Sequence, residues 1–385
     1  MVIKNGTVLC YDRLLQGNDL RVVDGTIGEI GPGIVPATGE QVCDAEGGYV
    51  LAGLIDLHSH GLEDNLVQTD SLIEFSRLQL SHGVTTCVPT LQGTPRANAA
   101  VMRRGISETN RFNNTPNLIG FRPEIMYVAK TGAGSRQSLV PIHDSTTRLL
   151  WEASEGTIRI WDVAPELEGA LDFVRWAAAH GIVTSIAHSS ATIDQARRCV
   201  DAGLSLVTHC FATFDVPRES DPGVYPAGLI DYLLVDDRVT LELIPDGVHV
   251  HPLLMEKAFR CKGIERVALV TDSVKGAGNP PGIYPGLYDG AEVEVTEDRG
   301  MRRTADDCLS GSALTHIASL RNAVMRFGTS LADASALCSR TPARVLGLRN
   351  KGYVAVGMDA DLIIVDQQLS LRNTICAGAV VYPRS

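Results

Sequence analysis

The chain has 385 residues, 44% of them hydrophobic and 21% charged, with a formal net charge of −11. That length exceeds what a single core usually sustains and points to one large domain with an appendage, or to two domains. The negative charge argues against nucleic acid or an anionic membrane surface as partner, since both need a basic face; an anionic small substrate needs only a local Arg or Lys.

The opening "MVIKNGTVLCYDRLL" has no long apolar segment of the kind a signal peptide carries, and no later run approaches the roughly 20 apolar residues that span a bilayer. The nine cysteines are odd in number, scattered, and include no C-x-x-C pair, as in reduced cytoplasmic proteins. A cytoplasmic location is expected.

Residues 1–50 read as short strands: "MVIKNGTVLC", "DLRVVDGTIGEIGPG" and "EQVCDAEGGYVLAG" set β-branched residues between Asn-Gly and Asp-Gly turns. Residues 344–385, with "GYVAVGMDADLIIVD" and "ICAGAVVYP", have the same character. The two ends are expected to meet in one small β-sandwich domain enclosing residues 51–343.

Within that middle, eight apolar runs recur: "LIDLH", "TTCVPT", "LIGFRPE", "IRIWDVAPE", "VTSIAHS", "LSLVTHC", "VTLELIPDG" and "VALVTDS". Helical stretches such as "LEGALDFVRWAAAHG" lie between most of them and end near Gly. Near-continuous apolar strands alternating with helices indicate a parallel sheet covered on both faces, and eight of them suffice for a (β/α)8 TIM-like barrel. A hairpin is expected in "AEVEVTEDRGMRRTA" after the last run.

Several runs end in a residue able to bind metal or move protons: His58 and His60 on the first, Glu124 on the third, His188 on the fifth, His209 on the sixth and Asp272 on the eighth. In such a barrel the C-terminal strand ends open on one face, so these distant residues converge. Residues two apart on a strand share a face, so His58 and His60 can grip one ion while Ser59 points elsewhere. Imidazoles with carboxylates suit Zn²⁺, Fe²⁺ or a similar divalent transition metal.

Other histidines have plainer roles. His82 and His180 each precede a Gly at a helix end, where a histidine suits the helix dipole. His143 and His316 suggest no role. Asp56, on the face of His58, is either a hydrogen-bond acceptor for that ring or structural. In "IPDGVHVHP", His249 and His251 form either a second metal pair or, with the Asp246-Gly247 turn placing them in a loop, a site where His249 contacts substrate.

The stretches "LAGLIDLHSHG", "SIAHSSATIDQARRCVDAGLSLVTHCF", "IPDGVHVHP", "LVTDSVKGAG", "LSGSALT" and "TPARVLGLRNKGYVAVGMDADLIIVD" resemble the amidohydrolase superfamily, and more closely its N-acetylglucosamine-6-phosphate deacetylase family. The resemblance implies a homodimeric, metal-dependent hydrolase that removes the acetyl group from an amino sugar phosphate. Glu124, His188 and His209 would hold a main metal, zinc or iron, His58 and His60 would contribute to a second one that some members of the family lack, and Asp272 would be a further metal ligand. Asp272 would accept the proton of the attacking water, and His249 would stabilise the developing oxyanion.

Two segments depart from the family. Its Leu-Glu-Gly-Pro motif reads "FRPEIM" here, and its His-Leu-Phe-Asn-Ala-Met reads "HCFATF", placing Ala212 and Thr213 near the expected sugar phosphate. Arg218 is either the phosphate-holding cation or a solvated arginine. The departures leave room for another N-acetylated amino sugar phosphate, or a cyclic amide, as substrate.

Overall fold

All eight apolar runs form strands in the computed structural model, which describes residues 1–217, 222–285, 291–296 and 298–383. They are Leu54–Ser59, Val84–Leu91, Arg122–Pro123, Ile160–Val163, Val183–Ile186, Leu206–Val207, Thr240–Leu243 and Val267–Leu269. Nearly every residue in them is buried, which is why the runs read as continuously apolar instead of alternating. The first three pair in parallel as one sheet and the last five as another, each in chain order. Isolated parallel bridges link the sheets: Phe121 with Ile158 and Tyr127 with Val163 on one side, Ser59 with Ser273 on the other.

Two strands are shorter than the runs suggest. The third is cut to Arg122–Pro123, where proline gives no N–H to a ladder and Gly120 sits at φ +150°. The sixth ends at Val207, because His209 and Phe211 turn the chain away at φ 27° and 80°.

Helices separate the strands. Ser71, Thr94 and Thr192 cap Leu72–Ser81, Pro95–Glu108 and Ile193–Asp201, the last with a full capping box through Gln195. His82 and His180 stand at helix C-caps, each followed by a glycine at positive φ. His143 caps Asp144–Ala153, and the Nε2–H of His316 donates to the Ile55 carbonyl at 3.1 Å. No helix among the described residues is long and apolar enough to cross a membrane.

The chain ends share a six-stranded sheet ordered Ala379–Tyr382, Leu371–Cys376, Leu362–Val365, Tyr49–Ala52, Thr7–Cys10, Arg13–Gln16. A four-stranded sheet includes Val2–Lys4 and Asp19–Val23, and Ile3, Val8, Leu20, Val50, Leu362 and Ile364 form a core of their own. Asp24-Gly25 turns the Val23–Thr26 hairpin with both residues at positive φ, as a two-residue turn with the right twist requires. The expected hairpin after the eighth run is Glu292–Thr296 with Gly300–Arg303, widened by a third strand, Gly282–Pro285.

The passage from this terminal sheet into the first parallel strand runs through Gly53, whose N–H donates to Asp361 O at 2.8 Å and whose carbonyl accepts from Ser339 Oγ at 2.9 Å. A Cβ there would lie 2.1 Å from Thr85 Oγ1. Gly53→Ala is expected to lower stability in urea denaturation by about 1–3 kcal/mol. Adding Thr85→Ala should recover most of that loss, and simple additivity of the two changes would refute the clash.

Candidate metal centre and active site

Six side chains from five strand ends meet in one cluster. His58 is the penultimate residue of the first strand, His60 lies one residue past it, and Glu124, His188, His209 and Asp272 each follow their own strand. His188, His209 and Asp272 have φ of 46°, 27° and 48°, a left-handed backbone that costs free energy in residues with a Cβ and that clusters at functional sites. Between the two first-strand histidines, Ser59 turns away to Ser273 Oγ at 2.8 Å, as strand alternation requires.

The donor atoms form two groups, Glu124 with His188 and His209, and His58 with His60 and Asp272, each within 4.8 Å. Glu124 Oε1 is 3.2 Å from His188 Nε2 and from His209 Nε2, and 3.5 Å from His58 Nε2. Asp272 Oδ1 is 3.4 Å from His58 Nε2 and 3.3 Å from His60 Nε2. Glu124 therefore stands between the groups. Its Oε2 is buried and 3.2 Å from His60 Nε2, yet accepts no hydrogen bond. The two Nε2 atoms of His58 and His60 also face each other at 3.1 Å. Lone pairs aimed at a common point, with an orphaned carboxylate oxygen among them, are a donor set that fits a divalent cation.

A buried ionic network lies beneath. Arg122 is fully buried and donates to Asp162 through Nε and Nη2 at 3.0 Å each, to Glu242 through Nη1 at 2.6 Å and Nη2 at 3.0 Å, and to Leu57 O and Thr208 Oγ1. Glu242 Oε2 is 3.5 Å from His58 Nδ1 and orients that ring. Burial pushes the Glu242 carboxyl up, but Arg122 and His58 outweigh it and hold it at about 2. For His58 burial and Arg122 press the pKa down, and the Asp272 and Glu124 carboxylates outweigh both, raising it to about 10. Asp272 is desolvated as well, yet the facing imidazoles hold it well below the usual carboxylate range.

Glu124, His188, His209 and Asp272 line a cavity of about 270 Å³ together with Gln92, Gly132, Ala212, Thr213, His249 and Ser310. A surface depression of about 590 Å³ beside Thr192 and Pro217 contains none of the converging donors, so size alone does not mark the site. His249 Nδ1 is 2.6 Å from Asp246 Oδ2, and the Asp246 side chain also accepts from the His249 N–H at 2.9 Å. Burial presses the His249 pKa down, but the Asp246 carboxylate raises it above the ordinary value.

His249 and His251 do not form a metal pair: His251 caps the helix Pro252–Lys262, its ring accepting from the Leu253 N–H. Asp56 is structural, accepting from Thr271 Oγ1 at 2.6 Å and from the His58 backbone instead of its ring. Arg218 lies outside the described residues. Sequence reasoning missed Arg122, Asp162, Glu242 and Gln92. The first three had one signal, a charged residue set among the apolar residues of the runs "LIGFRPE", "IRIWDVAPE" and "VTLELIPDG".

The model of the amidohydrolase family matches residues 143–381. An N-acetylglucosamine-6-phosphate deacetylase of Lysinibacillus sphaericus is 30% identical over 393 residues, covering 99% of this chain and 97% of that protein. An N-acetylgalactosamine-6-phosphate deacetylase of Escherichia coli O157:H7 is also 30% identical, covering 98% of each. Among solved structures, an Asp-to-Ala mutant of N-acetyl-D-glucosamine-6-phosphate deacetylase from Mycobacterium smegmatis, in complex with N-acetyl-D-glucosamine-6-phosphate, superposes with a TM-score of 0.87 at 28% identity over 99% of both chains. The chain belongs to the amidohydrolase family and, within it, to the N-acetylglucosamine-6-phosphate deacetylase group.

Proposed function

We propose that the chain hydrolyses the acetamide of N-acetylglucosamine 6-phosphate, releasing acetate and glucosamine 6-phosphate. The observation that carries this is the pairing of two donor groups through Glu124 with an acid, Asp272, and an imidazole, His249, at the same cavity. Glu124, His188 and His209 would hold one divalent ion, zinc or iron, and His58, His60 and Asp272 a second. A divalent ion bound there lowers the pKa of water towards about 7 and polarises a carbonyl.

The chain's own residues do the rest. Asp272, ionised and facing the cavity, takes the proton of the attacking water and hands it to the departing amine. Its backbone N–H donates to the His58 carbonyl at 2.8 Å, which fixes the carboxylate against the two imidazoles. His249 gives Nδ1–H to Asp246 and, when protonated, offers Nε2–H to the carbonyl oxygen as it gains charge, a contribution of about 3 kcal/mol for one good donor. Thr213 and Ala212 line the cavity on the side assigned to the sugar phosphate, and Arg218 is the cation we assign to it.

The same reading includes closure of the eight strands into a (β/α)8 barrel spanning residues 51–343, supported by the bridges on both sides, with 1–50 and 344–385 as the β-sandwich domain. A homodimer is supported by Val216, Val224 and Tyr225, exposed at 83%, 54% and 89% just beyond Thr213. A cytoplasmic location is supported by nine cysteines none of which is disulfide-bonded.

A second substrate, N-acetylgalactosamine 6-phosphate, is favoured by the equal identity of the Escherichia coli relative. Acetate release measured side by side from the two sugar phosphates, and from a cyclic amide, should be fastest with N-acetylglucosamine 6-phosphate, at a turnover near the ordinary value of about 10 per second. In the same assay Asp272→Asn should remain folded and lose at least about 100-fold in turnover. Preference for another member of the panel would replace the substrate, and an active Asp272→Asn would remove the proposed proton carrier.

His249 serves as donor only while protonated, and the Asp246 carboxylate raises its pKa. Activity should therefore fall as pH rises through the His249 pKa. Asp246→Asn removes the raising charge, so this alkaline limb of kcat/KM is expected to move to lower pH. A limb that stays in place would show that His249 is not the titrating donor.

A further inference from the structure

The second parallel strand, Val84–Leu91, is one whose end the sequence left without a role, and Gln92 follows it directly. Its carboxamide Nε2 lies 2.7 Å from His60 Nε2. His60 Nδ1 is 3.2 Å from the Thr90 carbonyl, a contact only an Nδ1–H satisfies, so the neutral ring presents a lone pair at Nε2. That nitrogen is also 3.1 Å from His58 Nε2, 3.2 Å from Glu124 Oε2 and 3.3 Å from Asp272 Oδ1. Gln92 is thus one more side chain gathered on the point that the His58–His60 pair faces.

Its position is fixed from both sides. The Gln92 N–H donates to Gln68 Oε1 at 3.4 Å, and its carbonyl accepts from Ser138 Oγ at 2.8 Å. Only the end of the side chain is free to turn. A carboxamide has a donor side and an acceptor side that exchange by half a turn about its last bond.

We infer that Gln92 is an oxygen ligand of the cation held by His58, His60 and Asp272. Half a turn of the amide replaces the NH2 group facing His60 by Oε1, which lies within reach of the ion that the His60 lone pair binds. Two imidazoles, the Asp272 and Glu124 carboxylates and a neutral carboxamide oxygen make a donor set larger and harder than four, one suited to a coordination number above four. This rests on the metal reading above and concerns only the second ion.

The test is a metal titration instead of a rate. Full-length protein stripped with a chelator is titrated with Co²⁺, following uptake by elemental analysis and coordination by the visible absorption of the ion. Wild type should take up two equivalents, the second with the weak absorption of a high coordination number. Gln92→Leu should bind the first equivalent unchanged and the second at least about 10-fold more weakly, and Gln92→Glu, which keeps an oxygen at that place, should restore it. The inference is overturned if wild type binds a single equivalent, if Gln92→Leu binds the second as well as wild type does, or if both variants lose both equivalents together. A protein that shows the expected titration but releases no acetate would end the functional reading and leave this one standing.

Discussion

Everything above the strand ends depends on one buried charge. Arg122 is fully desolvated, and its guanidinium is satisfied by Asp162 and Glu242 together with Leu57 O and Thr208 Oγ1. Those groups come from the first, fourth, sixth and seventh strand regions and Arg122 from the third, so a single side chain ties the two parallel sheets together. A buried ion pair of this kind is costly to break, about 3–5 kcal/mol for losing one partner, because the other charge stays behind without water. The network therefore specifies the mutual placement of the strands more than it adds net stability.

That placement is what the chemistry uses. Glu242 reaches from the Arg122 network to His58 Nδ1, and Thr90 O reaches His60 Nδ1, so both rings have their second nitrogen engaged and their Nε2 turned to Glu124 and Asp272. Glu124 then sits where both donor groups can share it, while left-handed backbone at His188, His209 and Asp272 brings those side chains back over the strand ends. The strain stored in those three residues is tolerable because the packed strands beneath over-determine the turns.

Much of this could be read from the amino-acid order. Continuous apolar runs gave the parallel strands, because strands buried on both faces need no polar side, and histidines and acids at the run ends marked the cluster. The Asp24-Gly25 hairpin and the helix-end roles of His82 and His180 were equally legible, being set by local backbone chemistry. Arg122 and Glu242 were not, since their contact spans 120 positions and a charge inside an apolar run does not name its partner. Gln92 escaped notice because glutamine is neither a common metal ligand nor an acid, and only its 2.7 Å approach to His60 gives it meaning. The backbone at His209 and Asp272 was hidden too, for nothing in a histidine or an aspartate announces a left-handed turn.

The central claim is that the converging donors form a metal centre that performs the hydrolysis. Its most direct test is acetate release from N-acetylglucosamine 6-phosphate before and after removal of bound metal with a chelator, followed by stepwise return of Zn²⁺. The account requires activity to vanish with the metal and to return in proportion to the ion restored. Undiminished release from protein shown by elemental analysis to be metal-free would contradict it.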